Sequence, residues 1–466
     1  MVKKILLLGF LGAVLGLMLY FGVPALVGSF HGSNKGEQVA ELSSDEVEYL
    51  PVTEEEANKL NSSEPSSEEA SSGEESSEET SEDVTSEESS EEVSEEDSEA
   101  SSGSGVSVVS EEQFTFTASG DNLIHSYIYE QALERGRNGH YAFSYAYQDV
   151  ADFFKNNDLN WIDQETICTD TLEPSSYPSF STPGDCARAL YKDNFKIFNI
   201  SNNHTYDKGT TGINDTLDFW NNKMPEDVLA TGLYKNKKEL NVPVYDYNGI
   251  KIAFLSFTYG TNGISTPADS DYRVITIDEE RLIRRQIRNA RGKADVVMVS
   301  AHWGTEDSHE VTEDQKKLAR KLTSWGADLI IGTHPHVVQT CEWIEAKNGR
   351  KAFCMYSLGN FISGQTTPDN LVGVTFRAYF LVRKYSNGKQ RVLIRRIRFY
   401  PTVTYYGANH ADEKVIWLRD MTEEMESSHG AKSYDSRFSF DYLVDVLKNN
   451  IPAKYLVLPR RANRAA

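Results

Sequence analysis

The feature that most restricts the fold is a series of short apolar runs, each followed by glycine or polar residues, with helical patterns between several of them. Runs of this length and β-branched content are typical of buried strands. In chain order they are Phe114–Ser119, Leu159–Ile162, Lys196–Ile200, Ile252–Phe257, Val296–Ser300, Leu329–Gly332 and Phe353–Leu358. Apolar strands that alternate with helices predict an α/β fold with a largely buried sheet.

Two helical patterns lie between these strands. Glu279–Arg291 has apolar residues on one face and arginines elsewhere. Thr312–Trp325 begins with the capping-box pair Thr312 and Gln315 and stops before Gly326, a residue type that commonly ends helices. Both segments are therefore predicted to be helices that pack on the sheet.

The later part of the folded region reads differently. Gly373–Tyr385 and Arg391–Tyr405 alternate polar and apolar residues, and Asn387-Gly388 lies between them. This pattern predicts an antiparallel pair and hence a mixed sheet. Phe438–Leu447 is predicted to be a helix on the sheet, and Arg460–Ala466 a frayed basic tail.

Most of the negative charge belongs to one low-complexity segment. The formal charge of the chain is −23, and residues 31–105 hold 25 acidic residues and two lysines. No aromatic residue occurs between Tyr49 and Phe114. Such a segment cannot bury enough apolar surface to offset chain entropy. We therefore expect a disordered Ser/Glu-rich stalk over residues 31–110, with folding beginning near Val106; a specific binding tail is the alternative.

The N-terminus has the composition of a membrane segment. Residues 5–30 are almost entirely apolar and follow Lys3 and Lys4, and about 20 apolar residues span a bilayer. A single-pass membrane anchor over residues 1–30 is expected, with the rest of the chain extracellular; a cleaved signal peptide is the alternative. The expected organisation continues with a domain over residues 111–410 and a C-terminal extension over residues 411–466 that packs on it.

Four cysteines suit an exported protein without proving oxidation. Cys341 and Cys354 flank a predicted hairpin, where a four-residue tip would place them opposite each other. Cys168 and Cys186 bracket a loop rich in Pro and Ser. Two local disulfides and four buried thiols both remain open.

Polar side chains follow the predicted strands in a pattern that indicates a metal site. Ligands gather at the carboxyl ends of strands in open α/β sheets, and imidazole is a common metal ligand. The residues found there include Asp121, Asn122, Asp163, Gln164, Glu165, Asn202, Asn203, His204, Asp207, His302, Trp303, His334, His336 and Asn360. Each has a structural explanation alone, as a turn, cap or stacked ring. Their recurrence at one edge favours two metals.

The ordered motifs resemble a known family. They are Gly120-Asp121, Gln164-Glu165-Thr166, Ser201-Asn202-Asn203-His204-Thr205-Tyr206-Asp207-Lys208-Gly209, His302-Trp303-Gly304, His334-Pro335-His336-Val337-Val338-Gln339 and Tyr356-Ser357-Leu358-Gly359-Asn360-Phe361. Over roughly residues 114–365 they resemble the bacterial capsule synthesis family CapA, also called the poly-γ-glutamate biosynthesis or PGA_cap domain. That family is related to calcineurin-like metallophosphoesterases, so the resemblance implies a four-layer α/β/β/α sandwich with mixed sheets and a two-metal site.

The resemblance also implies roles for individual residues. The expected metal ligands are Asp121 and His336 for one ion, Asn203, His302 and His334 for the other, and Glu165 as the bridge. His204 is expected to be the catalytic acid, oriented by Asp207. Asn122, Trp303 and Asn360 are weaker candidates for substrate contacts. Leu123 stands where related phosphoesterases have a histidine and Gln164 where an asparagine is more usual, so one metal is expected to have fewer ligands.

The cofactors implied are two divalent metal ions, with Mn, Zn and Fe all suited to mixed N/O ligation. The expected partners are the membrane, an anionic surface polymer such as poly-γ-glutamate and the capsule synthesis machinery, with no nucleic acid. The function implied is polymer synthesis, release or anchoring. An envelope hydrolase of phosphoesters or amides and a non-catalytic polymer-binding scaffold are the alternatives.

Arginines are candidates for polymer contacts. They lie at positions 281, 284, 285, 288 and 291 of the predicted helix, and at positions 395, 396 and 398 of the last predicted strand. A solvated helix face and an exposed strand edge are the favoured explanation.

Overall fold

The computed structural model describes residues 106–236, 238, 240–266 and 270–458. The predicted anchor over residues 1–30, residues 31–105 of the predicted stalk and the predicted tail Arg460–Ala466 lie outside these residues. The first strand begins at Val108, within the last residues of the segment predicted as a stalk. No helix in the described ranges is both long enough and apolar enough to cross a membrane.

The described chain contains sixteen strands. They are β1 (Val108–Leu123), β2 (Leu159–Asp163), β3 (Cys168–Thr169), β4 (Thr182–Pro183), β5 (Phe195–Asn199), β6 (Leu229–Thr231), β7 (Val244–Tyr247), β8 (Ile250–Thr258), β9 (Val296–His302), β10 (Leu329–Thr333), β11 (Cys341–Glu345), β12 (Lys351–Met355), β13 (Asn360–Ser363), β14 (Val372–Tyr385), β15 (Gln390–Tyr405) and β16 (Lys414–Trp417).

The α-helices of the described chain are α1 (Ser126–Arg135), α2 (Ser144–Tyr147), α3 (Ala151–Lys155), α4 (Asp185–Lys192), α5 (Gly209–Asp218), α6 (Glu280–Arg291), α7 (Glu313–Trp325), α8 (Pro368–Leu371), α9 (Glu423–Ser428) and α10 (Phe440–Asn450). A π-helical turn, Phe219–Lys223, continues α5. Three 3₁₀ turns follow β15: Ala408–His410, Leu418–Asp420 and Gly430–Ser433.

The strands form two large mixed sheets. The eight-stranded sheet has the order β16-β15-β14-β1-β2-β5-β6, and β13 also pairs with β1. Its β1, β2, β5 and β6 are parallel, whereas β14, β15 and β16 are antiparallel. The six-stranded sheet has the order β11-β12-β10-β9-β8-β7. The predicted α/β class with mixed sheets is therefore confirmed.

Three apolar cores show how the layers stack. Phe116 and Phe376 of the first sheet share a core with Phe254 and Met298 of the second, so the two sheets pack face to face. The outer face of the first sheet is covered by α1 to α5. The outer face of the second sheet is covered by α6 and α7. Helix, sheet, sheet and helix thus follow one another, and all the parallel strands end near one edge of this stack.

The predicted helix starts and turns are borne out where capping chemistry was clear. The Thr312 hydroxyl accepts a hydrogen bond from the Gln315 backbone N–H, and the Gln315 side chain accepts one from the Thr312 N–H, 2.9 Å away. Gly326 ends α7 with a φ of 132°. The predicted antiparallel pair is the hairpin β14–β15, which turns at Gly388.

The disulfide left open between Cys341 and Cys354 is excluded by the strand register. In the β11–β12 hairpin Cys341 lies opposite Met355, and Cys354 lies opposite Glu342. The two cysteines are therefore one step out of register, which places them on opposite faces of the sheet. Cys341 belongs to the core between the sheets and Cys354 to the core beneath the helices. All four cysteines are buried free thiols.

Candidate metal centre

The carboxyl ends of strands from both sheets converge on one buried cluster. His302 ends β9 in the six-stranded sheet, and Asn203 follows β5 in the eight-stranded sheet. The Nε2 atom of His302 lies 2.9 Å from Oδ1 of Asn203. The backbone N–H of His334 donates to Oδ2 of Asp121 over 3.3 Å. The fold thus brings together ligand types that are far apart in the sequence.

His302 is wholly buried. Its Nδ1 atom lies 3.0 Å from the Thr333 hydroxyl and 3.4 Å from Oδ2 of Asp163. A second partner on the ring nitrogen that faces away from a metal fixes the orientation of a ligating histidine. Thr333 and Asp163 therefore hold the His302 ring so that Nε2 faces the cluster.

The two histidines after β10 have unusual backbone geometry. His334 has a φ of 97° and His336 a φ of 59°, although residues with a Cβ seldom adopt positive φ. Strained conformations of this kind persist where surrounding contacts hold them, and they concentrate at functional sites. His336 Nδ1 is held 3.1 Å from Asp121 Oδ2 and 3.0 Å from Asn360 Oδ1. The tight turn directs both rings into the cluster.

The side chains form two overlapping groups with the composition of metal sites. Glu165, His302 and His334 place one ligand atom each within 4.8 Å of one another, and so do Asp121, Glu165 and His336. Glu165 is common to both groups. All five side chains are buried. A carboxylate shared between two ligand sets is the arrangement expected of a bridging residue.

Unpartnered buried atoms show that these residues fit a cation. Among the described residues, hydrogen-bond partners are lacking for buried Asp121 Oδ1, Asp163 Oδ2, both carboxylate oxygens of Glu165 and His334 Nδ1. Burying a carboxylate without a partner is costly. A cation held by Asp121, Glu165, His302, His334 and His336 would satisfy most of these atoms at once.

Burial and neighbouring charged groups shift the pKa values of the cluster. Burial raises the pKa of Asp163 to about 7 and raises the pKa of Glu165 well above its ordinary value. Burial would lower the pKa of His336, but the charge of Glu165, a hydrogen bond that His336 donates to Asp121 and the Asp121 charge raise it to about 10. Metal binding to a site where several carboxylates meet releases protons.

The other two histidines of the cluster behave as neutral ligands. Burial lowers the pKa of His302 to about 3. Burial and the neighbouring His302 and His336 also lower the pKa of His334. Neutral imidazole is the form that binds metals, so both rings are ready to coordinate at neutral pH.

His204 and Asp207 form a pair beside the cluster. His204 Nδ1 lies 2.8 Å from Asp207 Oδ2, and this oxygen also accepts the Phe180 backbone N–H over 2.6 Å. The Phe180 ring packs edge-on against His204 with ring centroids 4.7 Å apart. The charge of His204 contributes to the lowered pKa values of His302 and His334. The predicted acid is therefore fixed in orientation close to the predicted ligands.

Two predicted substrate residues lie away from the cluster. The Asn122 side chain donates to Gln164 Oε1 over 2.8 Å and accepts from the Tyr147 hydroxyl over 2.9 Å. The Trp303 indole N–H donates to the Tyr356 carbonyl over 2.9 Å within the core beneath α6 and α7. Each follows a ligand by one residue, and successive strand residues point to opposite faces. The side chains of Asn122 and Trp303 therefore face away from the cluster, and their role as substrate contacts stays a prediction.

The third substrate candidate, Asn360, lies behind the ligands. Its Oδ1 atom contacts His336 Nδ1, and its amide donates to Gln365 Oε1 and to the Asn370 carbonyl. Asn360 therefore supports His336 and has little left to offer a substrate.

Three residues near the cluster had no role in the sequence-based assignment. Asp163 was recognised only as a residue after β2, yet it is buried and contacts His302. Tyr259 packs over His334 with ring centroids 4.4 Å apart. Glu306 is exposed and forms a third group with His334 and His336. The position of Asp163 at a strand end was the available signal; Tyr259 and Glu306 lie on loops, where no periodic pattern marks them.

The departure at Leu123 is not compensated by the nearby histidine. Leu123 is buried. His125 Nδ1 accepts the Gly364 backbone N–H over 3.0 Å, and its ring packs against Phe180. His125 belongs to none of the metal-type groups found among the described residues. The expectation that one metal has fewer ligands stays a prediction.

Comparison with known proteins gives consistent results. Residues 115–365 match the model of the family described as bacterial capsule synthesis protein PGA_cap. The PGA biosynthesis protein CapA of Bacillus subtilis (strain 168) is 28% identical over 263 residues, which cover 56% of this chain and 66% of that protein. The capsule biosynthesis protein CapA of Bacillus anthracis is 27% identical over 266 residues, 54% of this chain and 61% of that protein. The matches thus span just under two thirds of these relatives.

Solved structures give only a partial likeness. A 5′-nucleotidase from Candida albicans SC5314 aligns with a TM-score of 0.30 and 11% identity, covering 58% of this chain and 50% of that chain.

Proposed function

The chain belongs to the PGA_cap family of bacterial capsule synthesis proteins, and from this membership we propose that it is a metal-dependent enzyme acting on an anionic capsule polymer such as poly-γ-glutamate. The proposal comprises two divalent ions, Mn, Zn or Fe, and a role in synthesis, release or anchoring of the polymer. The observation that carries it is that Glu165 is shared between two buried ligand groups.

The ligand assignment follows the two groups. Asp121 and His336 would hold one ion; His302, His334 and the Asn203 amide oxygen would hold the other; Glu165 would bridge them. When bound, such ions supply Lewis acidity and a water of lowered pKa at neutral pH. Asp163 and Thr333 hold the His302 ring, and Asn360 holds the His336 ring.

The chain's own acid is His204. Its Nδ1 is tied to Asp207, so Nε2 is the nitrogen left to deliver a proton to a departing group. A positioned acid of this type contributes about 100- to 10,000-fold to a rate. Asp207 keeps the ring in one tautomer and one orientation, and Phe180 limits its rotation.

The first test is the metal content. We would purify the full-length chain, the double variant His302→Ala/His334→Ala and the control His140→Ala, whose imidazole is exposed. Elemental mass spectrometry after reconstitution with Mn or Zn should find two ions per chain in the wild type and the control, and few in the double variant. Failure of the wild type to bind any metal would overturn the enzyme proposal and favour a polymer-binding scaffold.

The second test is turnover. Poly-γ-glutamate incubated with the metal-loaded chain should change in length or acquire a new end group, and a chelator should stop the change. Hydrolysis of a generic phosphodiester with no effect on the polymer would instead favour an envelope phosphoesterase.

Location is a separate part of the proposal. Residues 5–30 are apolar and follow Lys3 and Lys4, so we propose a membrane-anchored protein whose folded part is extracellular. Cell fractionation combined with protease treatment of intact cells tests this. A folded part that resists protease until the cells are lysed would contradict it.

A further inference from the structure

The outward face of the β14–β15 hairpin carries a group of arginines, which we call the arginine face. It consists of Arg377, Arg395, Arg396 and Arg398 around Tyr379. Arg395, Arg396 and Arg398 are exposed, and Arg377 is half-buried. None of the four forms a salt bridge with a carboxylate of the described residues. Their positive charge is therefore available to a partner.

Other cations of the same strand are neutralised. Arg383 Nε lies 2.5 Å from Glu111 Oε2, and Lys384 Nζ lies 3.1 Å from Asp295 Oδ1. These cations near the turn of the hairpin are thus paired with carboxylates, whereas the arginines of the arginine face form no salt bridge in the described chain. This difference within one hairpin indicates a local requirement for positive charge.

A β-bulge assembles the arginine face. Arg377 lies opposite Arg398. Tyr379 is two residues after Arg377 on β14. It lies opposite Arg395, which is three residues before Arg398 on β15. Because β15 has one extra residue here, Arg395 and Arg398 both point outward. Arg396, within the bulge, has a φ of 51°. An arginine held in the left-handed region is uncommon and suggests a function for the distortion.

Tyr379 orders two of the guanidinium groups. The Cζ atoms of Arg377 and Arg396 each lie 5.3 Å from the centroid of the Tyr379 ring. Contacts of this type are attractive and hold the planar group in place. Arg377 Nε also donates to Asn157 Oδ1 over 2.7 Å. Arginines fixed before binding lose less side-chain entropy when they bind a carboxylate.

The cavity beside the arginine face is not part of the proposed binding surface. It has a volume of about 340 Å³ and is lined by Arg377 but also by Asp149, Asp152 and Asp420. These carboxylates would repel a polycarboxylate, so the ligand would lie along the exposed arginines instead.

Edge protection is the simpler explanation of charge on this strand. Residues 390–398 of β15 form a sheet edge in the described chain, and charged side chains on such edges prevent association of strands. Edge protection requires charge alone. It requires neither the strained Arg396 nor the stacking of Arg377 and Arg396 on Tyr379.

We infer that the arginine face binds a linear polycarboxylate and holds it on the protein independently of bound metal. The inference rests on the proposed function for the identity of the polymer, and the polymer's regularly spaced carboxylates match several fixed guanidinium forks. Arg377 lies opposite Thr117, four residues before Asp121 on β1. At strand spacing this is roughly 13 Å along the strand, so one polymer chain is long enough to reach both the arginine face and the metal centre.

The test measures binding of poly-γ-glutamate to the full-length chain in the presence of a chelator. The variant Arg395→Gln/Arg396→Gln/Arg398→Gln removes three charges from the arginine face. The control Lys293→Gln/Arg320→Gln/Lys347→Gln removes three exposed charges elsewhere on the surface. We expect the first variant to bind about tenfold more weakly, because three exposed ion pairs are lost. The control should bind like the wild type, and inorganic polyphosphate of matched charge should bind less tightly than poly-γ-glutamate.

Several results would overturn the inference. Equal weakening in both variants would indicate an effect of net charge. Equal affinity for polyphosphate would indicate a general anion surface. If the first variant binds the polymer normally but self-associates in size-exclusion chromatography, the arginines serve only to protect the sheet edge. A wild type that turns over the polymer with bound metal but shows no metal-free binding would refute the arginine face and leave the proposed function standing.

Discussion

His204 Nδ1 lies 2.8 Å from Asp207 Oδ2, and the two side chains are only 7% and 2% exposed. The same Asp207 oxygen accepts the Phe180 backbone N–H. Asp207 therefore links the ring of His204 to the loop that covers it. The pair lies beside the ligand cluster without belonging to any of its metal-type groups, so its role can be separated from metal binding by experiment.

Replacement of His204 should abolish turnover and leave the metal in place. We expect His204→Ala to lower polymer turnover by about 100- to 10,000-fold, the usual contribution of a positioned acid. Elemental mass spectrometry should find wild-type metal content. Asp207→Asn should give a smaller loss and an altered pH–rate profile, because the ring is no longer fixed. Full activity in His204→Ala would show that another group supplies the proton.

Glu165→Gln should remove the stabilisation that bound metal gives to the folded protein. Both Glu165 oxygens are buried without hydrogen-bond partners in the described chain, so the neutral variant should fold without metal as well as the wild type does. A ligand present at 100 times its Kd stabilises a protein by about 3 kcal/mol. Adding Mn or Zn should therefore raise the Tm of the wild type and of the exposed control Glu310→Gln, but not that of Glu165→Gln. An equal rise in all three would remove Glu165 from the ligand set.

Gly332→Ala should displace the histidine turn. A Cβ on Gly332 would lie 1.9 Å from the Tyr356 carbonyl oxygen, so β10 must move away from the segment after β12. His334 follows two residues later and should leave the cluster. We expect a loss of roughly 1–3 kcal/mol in the free energy of unfolding, as for other overpacked sites, together with a loss of bound metal. The control Gly260→Ala meets only open space and should change neither quantity.

Much of the fold and the clustering of candidate ligands could be predicted because each depended on local chemistry. Thr312 and Gln315 mark a helix start without tertiary information. The meeting of Asp121, His302 and His334 could be predicted because parallel strands end at a common edge. The faces of individual residues were harder: Asn122 and Trp303 are each one step from a ligand and therefore point away from the site.

Features that depend on strand register were not predicted from the sequence. The pairing of Cys341 with Met355 is set by the length of the hairpin loop, which a single residue changes. The bulge at Arg396 arises from the pairing of β14 with β15, and its mark in the sequence is the doublet Arg395-Arg396, which interrupts the alternation between Ile394 and Ile397. Asp163 and Glu165 were both candidates after β2, and only the structure shows that Asp163 contacts the His302 ring.

The His309–Asp369 pair should make stability depend on pH. The two side chains lie 3.0 Å apart, and His309 Nδ1 lies 2.7 Å from the Val338 carbonyl oxygen. Burial would lower the pKa of His309, but these hydrogen bonds and the Asp369 charge raise it above 6.5. The hydrogen bond from His309 is the main cause that lowers the pKa of Asp369. The contribution of Asp369 to the free energy of unfolding is thus present above the unfolded pKa of Asp369. The contribution of His309 is fully present below pH 6.5 and is lost as the pH rises through the pKa of His309 in the folded protein.

His309→Gln should lower the free energy of unfolding by about 1 kcal/mol at pH 6, as expected of a partly exposed ion pair. The difference from the wild type should shrink by pH 9. Chemical denaturation at both pH values measures it, and a difference independent of pH would mean that His309 is neutral in the folded protein.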